Sequence, residues 1–155
     1  MNTYETFNIK TEGKVAIVSF NRPDKANCLN AKAWDEMKLI FEELDATPSV
    51  RAIVLTGEGK HFTAGIDVSM LMDVTQYQGD GCESRKREAF NKNLQHLQDC
   101  VSAIEKCRKP TLAAIDNACI GGGIDITCAC DMRYATEAAY FSIKEIDWGM
   151  VADLG

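Results

Sequence analysis

The stretch CIGGGIDITCAC, residues 119–130, sets three consecutive glycines, Gly121 to Gly123, ahead of an acidic residue, Asp125, inside an apolar run. Glycine loses the most backbone freedom on ordering, and a carboxylate is costly to bury unpaired. A stretch that accepts both costs is shaped around a ligand rather than around packing alone. Just before it, TLAAID (111–116) reads as a short strand buried on both faces; just after the first glycine, a helix is expected over about 122–129. The segment is therefore a strand-to-helix junction, and the sheet it serves belongs to an α/β fold.

A second junction of the same kind stands upstream. VRAIVLTGEG (50–59) reads as another buried strand, and KHFTAGIDVSMLMD (60–73) turns through Gly65 into a short helix. At both junctions the first backbone N–H groups of a helix are left without intrahelical partners, and such groups bind an anion or a developing oxyanion. One Gly-rich turn is weak evidence of this; two in one α/β frame are better. Neither is a Walker-type phosphate loop, since no Lys-Ser or Lys-Thr follows the glycines, and GGGIDI does not supply the G-x-G-x-x-G of a dinucleotide site.

Outward from these junctions the remaining elements follow. TFNIKTEGKVAIVSFNR (6–22) predicts two strands around Glu12-Gly13, the second apolar throughout. NRPDKANCLN (21–30) is a loop, and Asn30 caps a helix whose stripe is Trp34, Met37, Phe41 and Leu44, stopped at Thr47-Pro48. A polar connection over 75–82 is expected to be mobile. The longest helix carries Phe90, Leu94, Leu97, Val101 and Ile104 as a core stripe and ends at Lys109-Pro110. Short strands are expected at 131–135 and 139–143.

For chemistry, triad hydrolysis is poorly served: the only histidines are His61 and His96, and His96 lies within the long amphipathic helix. Cys128 and Cys130 form a CxC without a nearby histidine, which favours small apolar residues near a strand start over metal ligands. Carboxylates are better candidates. Asp125 follows the glycines, Glu145 comes 20 residues later, and Asp153 comes 8 after that. Partly buried carboxylates beside an oxyanion site suit proton transfer at the carbon next to a carbonyl.

The pieces NRPDKAN, HFTAGID, IGGGIDITCACDMRYA and FSIKEIDWGMVADLG, taken in order, resemble the enoyl-CoA hydratase/isomerase, or crotonase, family across essentially all 155 residues. Within that family the trio Asp125, Glu145 and Asp153 is most similar to the dienoyl-CoA isomerases; the hydratases place glutamates at the first two positions and no carboxylate at the third. The resemblance implies a crotonase-like spiral of ββα units. It implies an acyl-CoA thioester whose oxygen is held by the backbone N–H groups of Ile66 and Gly122. Asp153 would take a proton from C2, Glu145 would deliver one at C6, and Asp125 would hold and polarise Glu145 or the substrate. The assignment of base and acid among the three stays open. The backbone around Ala64 would meet the adenine, with Lys25 and Ala26 along the nucleotide and Gly65 and Ile66 also among the residues that meet CoA or substrate. Lys25 has a solvated loop charge as its alternative, and for Asp67 capping of the following helix is preferred over ligand contact. No metal or redox cofactor is implied, because only protons move.

Members of the family continue well beyond the position matching Gly155, with a mostly helical part that completes the acyl pocket and much of a trimer contact. Residues 1–155 are thus expected to be the N-terminal core domain, the C-terminal helical part missing, of a homotrimer or dimer of trimers in the full-length form. Two alternatives stay open: an enoyl-CoA hydratase, or a non-catalytic acyl-CoA-binding or assembly subunit.

Composition bounds the partners. A formal charge of −6, with SRKRE (84–88) as the one basic cluster, argues against nucleic acid. The apolar runs at 14–20 and 50–55 are too short to span a bilayer, so no membrane partner is expected. The N-terminus MNTYETFNIK lacks the features of a secretory or transit signal, and seven cysteines form no even framework. A reduced cytoplasmic setting is the resulting expectation.

Overall fold

Val15–Phe20 forms the strand around which the rest is wound, and the computed structural model describes residues 3–73 and 82–154. This strand, β2, pairs antiparallel with β1 (Phe7–Glu12), and Gly13 at φ 60° makes the reversal between them. It pairs parallel with β3 (Ala52–Gly57), which pairs parallel with β4 (Thr111–Ile115), and that with β6 (Met132–Ala135). The five-stranded sheet therefore runs β1-β2-β3-β4-β6. A second, two-stranded sheet joins β5 (Ala118–Ile120) to β7 (Tyr140–Ser142) in parallel.

Parallel neighbours need crossovers, and here these hold the helices. Helix α1 (Ala31–Ala46) links β2 to β3; α2 (Val68–Asp73) and α3 (Glu83–Lys106) link β3 to β4; α4 (Gly122–Ala129) links β5 to β6. Between each main strand and its helix the chain makes a short extended step. Leu29 bridges Ile66, Thr63 bridges Cys119, and β5 pairs with β7, so these steps align as a second layer. Each turn of the chain is thus strand, short strand, helix, and successive turns stack as a spiral.

Helix α1 starts where Asn30 accepts a hydrogen bond from Ala33 N–H at 2.9 Å. Its buried stripe of Trp34, Met37, Ile40, Phe41 and Leu44 packs toward the sheet. In the same core the Phe20 ring meets Phe7 at a tilt and Phe62 edge to face, with centroids 5.1 and 5.3 Å apart.

Three expectations need correction. The stripe of α3 is buried only from Leu97 through Ile104; Phe90 is exposed, so the first half of the helix lacks the cover that the stripe implied. In β2 only part of the strand is fully buried, Val15 and Ile17 being partly exposed. The chain does not run from β4 straight into the glycines: β5 intervenes, too short for periodicity to reveal. Cys128 lies in the last turn of α4 and Cys130 is its C-cap, two residues before β6 begins and so near a strand start, as expected. The connection expected over 75–82 lies outside the described residues except Cys82, the N-cap of α3.

Candidate active site

The two glycine-bearing junctions meet. Gly65 adopts φ 84°, and a Cβ there would lie 2.5 Å from the Ile120 carbonyl oxygen and 3.5 Å from the Gly122 nitrogen. Only glycine allows so close an approach. The junctions are pinned by a ladder in which Thr63 N–H donates to Ala118 O at 3.0 Å and Ile120 N–H donates to Thr63 O at 3.1 Å.

Thr63 is the hub. Its hydroxyl donates to Asn27 O at 2.7 Å and accepts from Gly65 N–H at 3.1 Å, and its methyl would stand 2.5 Å from a Cβ on Gly123. Ala64 N–H donates to Ala26 O at 2.9 Å. The loop bearing Lys25 and Ala26 is therefore seated on the loop bearing Ala64–Asp67. Lys25 itself is exposed, in the 3-10 turn Pro23–Lys25.

The N–H groups of Ile66 and Gly122 donate to no acceptor among the described residues. For Gly122 the reason is its place as the first residue of α4. For Ile66 it is the bridge to Leu29, which uses Gly65 O and Asp67 N–H and leaves the intervening amide spare.

On α4, Asp125 lies one turn beyond Gly122 and is buried. Burial, and then the nearby charges of Glu145 and Asp153, push its carboxyl up to about 6. The other two acids come from the far end of the chain. Glu145 sits in the 3-10 turn Lys144–Trp148, just after β7, and its Oε1 would be 3.0 Å from a Cβ on Gly121. Gly121 N–H donates to Ser142 O at 2.9 Å, so the β5–β7 pairing carries Glu145 to the glycines. Asp153 is held by its carbonyl, which accepts from the Gln98 amide at 2.7 Å, while its neighbour Leu154 would approach a Cβ on Gly122 at 3.9 Å. The structure thus gathers Asp125, Glu145, Asp153, Ile66 and Gly122 in one place.

Asp67 is engaged elsewhere. Its carboxylate accepts from the Ser69 hydroxyl at 2.8 Å, from the Cys28 thiol at 3.3 Å and from Arg22 Nη1 at 3.2 Å. The Ser69 hydroxyl leads in holding its pKa at about 2, in keeping with a cap on α2. His96 is a surface residue bonded to Asp35 at 2.7 Å, and His61 accepts from Ala118 N–H at 3.4 Å. Burial pushes Cys130 up to about 12, and no group of three potential metal ligands occurs among the described residues. A groove of about 310 Å³ between α1 and α3 is lined by Lys38, Phe41, Glu42 and Lys106 among others, none of them in the glycine junctions.

The sequence profile of the enoyl-CoA hydratase/isomerase family matches residues 10–155. The chain belongs to this family. Its relatives in the family include a peroxisomal Delta(3,5)-Delta(2,4)-dienoyl-CoA isomerase of Arabidopsis thaliana, 42% identical over all of this chain and 57% of that protein. A mitochondrial protein of the same name from Homo sapiens is 39% identical over 99% of this chain and 47% of its own. Among solved structures, an enoyl-CoA hydratase/isomerase from Xanthobacter autotrophicus superposes with a TM-score of 0.84 at 30% identity, covering 95% of this chain and 52% of that one. An enoyl-CoA hydratase from Shewanella pealeana reaches 0.87 at 23% identity, over 97% and 54%, which speaks for the fold alone. The crotonase-like spiral is thereby established, and the chain spans about half the length of the curated relatives it matches.

The cytoplasmic location expected from the N-terminus is corrected by these enoyl-CoA hydratase/isomerase relatives, whose names place them in the peroxisome and the mitochondrion. The expectation rested on signals absent from MNTYETFNIK, yet targeting signals are short receptor-read addresses that the catalytic fold does not constrain.

Two residues packed against the glycine junctions had no visible role in the sequence. Thr63 is one apolar-flanked threonine among several, and Trp34 reads only as part of a core stripe.

Proposed function

We propose that residues 1–155 form the core domain of an isomerase that converts a 3,5-dienoyl-CoA to the conjugated 2,4-dienoyl-CoA. The observation that carries this reading is the convergence of Asp125, Glu145 and Asp153 on the glycines whose Gly122 amide, with that of Ile66, is unbonded. The relatives at 39–42% identity support it.

In this reading the thioester oxygen accepts from Ile66 N–H and Gly122 N–H. Loss of a C2 proton to Asp153 puts negative charge on that oxygen and along the conjugated carbons, and each amide stabilises it by on the order of 3 kcal/mol. Glu145 delivers a proton at C6. One proton leaves C2 and one arrives at C6, so the product is an isomer, and exchange with solvent resets both acids. Asp125, its carboxyl pushed up to about 6 by burial and by the charges of Glu145 and Asp153, holds and polarises Glu145 or the substrate. Each transfer contributes roughly 10²–10⁴-fold. No metal or redox group is called for, since the thioester is itself the substrate and no electrons leave it.

The nucleotide would lie along Lys25, Ala26 and Ala64–Asp67. A homotrimer or dimer of trimers belongs to the same reading. Tyr134, Phe141, Ile146 and Trp148 stand open to solvent, apolar area of the kind that association or further chain covers.

The test is an absorbance assay with 3,5-dienoyl-CoA, in which conjugated product is expected. Hydration of 2-enoyl-CoA without isomerisation would reassign the chain to the hydratases. A second reading, acyl-CoA binding without turnover, is favoured by the exposure of the segment bearing Asp153; thioester binding with no product would select it.

A further inference from the structure

Among the described residues, one buried side-chain polar atom has no hydrogen-bond partner: Nε1 of Trp34. Trp34 is fully buried, and a donor left unbonded in the interior is a cost that a carbon ring of similar size would avoid. Something else must favour an indole there. The ring reaches from α1 across to the first turn of α4, where its Cη2 and Cζ2 would lie 3.2 and 3.4 Å from a Cβ on Gly122. Those two atoms are the outermost of the bicycle, and the single ring of phenylalanine ends short of them. Leucine and methionine lack the rigidity to define the same surface.

The contact falls on the residue whose amide is unbonded. The place a Cβ on Gly122 would take is met by the indole edge and, at 3.9 Å, by Leu154, while a Cβ on Gly65 would lie 3.5 Å from the Gly122 nitrogen. An oxyanion donor works by being placed beforehand, and a displacement of an ångström suffices to lose most of its effect. We propose that Trp34 is a positioning residue for the Gly122 amide, its indole edge setting where α4 begins against the 64–66 loop. The proposal rests on the oxyanion role given above to Gly122. It assigns the indole its length, and it assigns the N–H no function.

Two variants separate reach from hydrogen bonding. Trp34→Phe shortens the ring. Replacing Trp34 by 3-benzothienylalanine keeps the bicyclic outline and exchanges the N–H for sulfur. Two readouts are taken on the 155-residue chain. The first is amide hydrogen exchange at Ile124, whose N–H donates to Gly121 O at 2.7 Å, compared with Ile53 in the core of β3. The second is the binding preference for a dienoyl-CoA thioester over the S-alkyl-CoA thioether, which has no carbonyl oxygen.

For Trp34→Phe, exchange at Ile124 is expected to accelerate about tenfold more than at Ile53, and the thioester preference to fall about tenfold while thioether binding holds. The benzothienyl variant is expected to restore both. Equal acceleration at the two amides, or parallel loss of both ligands, would mean a merely structural tryptophan and overturn the proposal. So would failure of the folded benzothienyl variant to match the native chain, which also decides the matter should Trp34→Phe not fold. If the native chain itself shows no thioester preference, the isomerase reading fails, while the exchange comparison still decides the role of Trp34.

Discussion

Gly121 and Glu145 are in contact through an atom that is not there: the Cβ that glycine lacks would stand 3.0 Å from Glu145 Oε1. Gly121 also adopts φ 52°, ψ −125°, a conformation nearly closed to other residues. The backbone at 121 is thus shaped for the carboxylate from the turn after β7. Gly121→Ala is expected to lower stability by about 1–3 kcal/mol from backbone strain and to drive Glu145 from its place. Denaturant unfolding checks the first and the isomerase assay the second; an active, fully stable alanine variant would refute the relationship.

Removing the acids tests their separate duties. Asp153→Asn and Glu145→Gln each keep shape and abolish proton exchange, and each is expected to cut turnover by roughly 10²–10⁴-fold with thioester affinity retained. A variant with native turnover takes that residue out of the proton path.

Asp125 and Asp67 pull the pH dependence of stability in opposite directions. The Asp125 pKa stands at about 6 in the fold against an ordinary 3.8, so the folded state holds more protons between those values. Stability is full below about pH 4 on this account and falls as pH rises through 6, by about 1–3 kcal/mol. Asp125→Asn should remove that decline. Asp67, held at about 2, contributes stability above pH 4 that is lost as pH falls toward 2. Unfolding midpoints of the native chain and Asp125→Asn across pH 4–8 read the first effect; parallel curves would contradict it.

Thiol labelling offers a simple check of the packing. Cys82 and Cys128 are exposed, whereas Cys100, Cys119 and Cys130 are buried with thiols pushed up to about 11, 11 and 12. A maleimide at neutral pH should therefore modify Cys82 and Cys128 first, and peptide mapping that finds Cys119 or Cys130 among the early products would show that α4 is not seated as described.

Gly65→Ala addresses the meeting of the two junctions. Its new methyl would press to 2.5 Å from Ile120 O at a backbone φ of 84°, so the loops must part. Thioester binding is expected to drop at least tenfold in a chain that still folds. Unchanged binding would remove the convergence from the account of the site.

Much of this was legible in the residues themselves. The α1 stripe and its Asn30 cap, the strands flanking Glu12-Gly13 and the two glycine junctions follow from period, capping and turn chemistry. The short strand β5 was not, because three residues carry no period. The half-exposed stripe of α3 was not either, since an apolar spacing says which side faces inward only if something lies there to face.

By itself, the sequence determined the order of the longer strands and the helices and the places where glycine was required. These are consequences of local geometry, acting over a few neighbouring residues. Only the tertiary structure decided that Glu145 and Asp153 reach Asp125, that Thr63 ties both loops together, and that Trp34 ends against Gly122. Those proximities depend on the parallel pairing of β5 with β7 and on α1 crossing to α4, which join residues 20 to about 90 positions apart. No local pattern records a contact whose two halves are so distant along the chain.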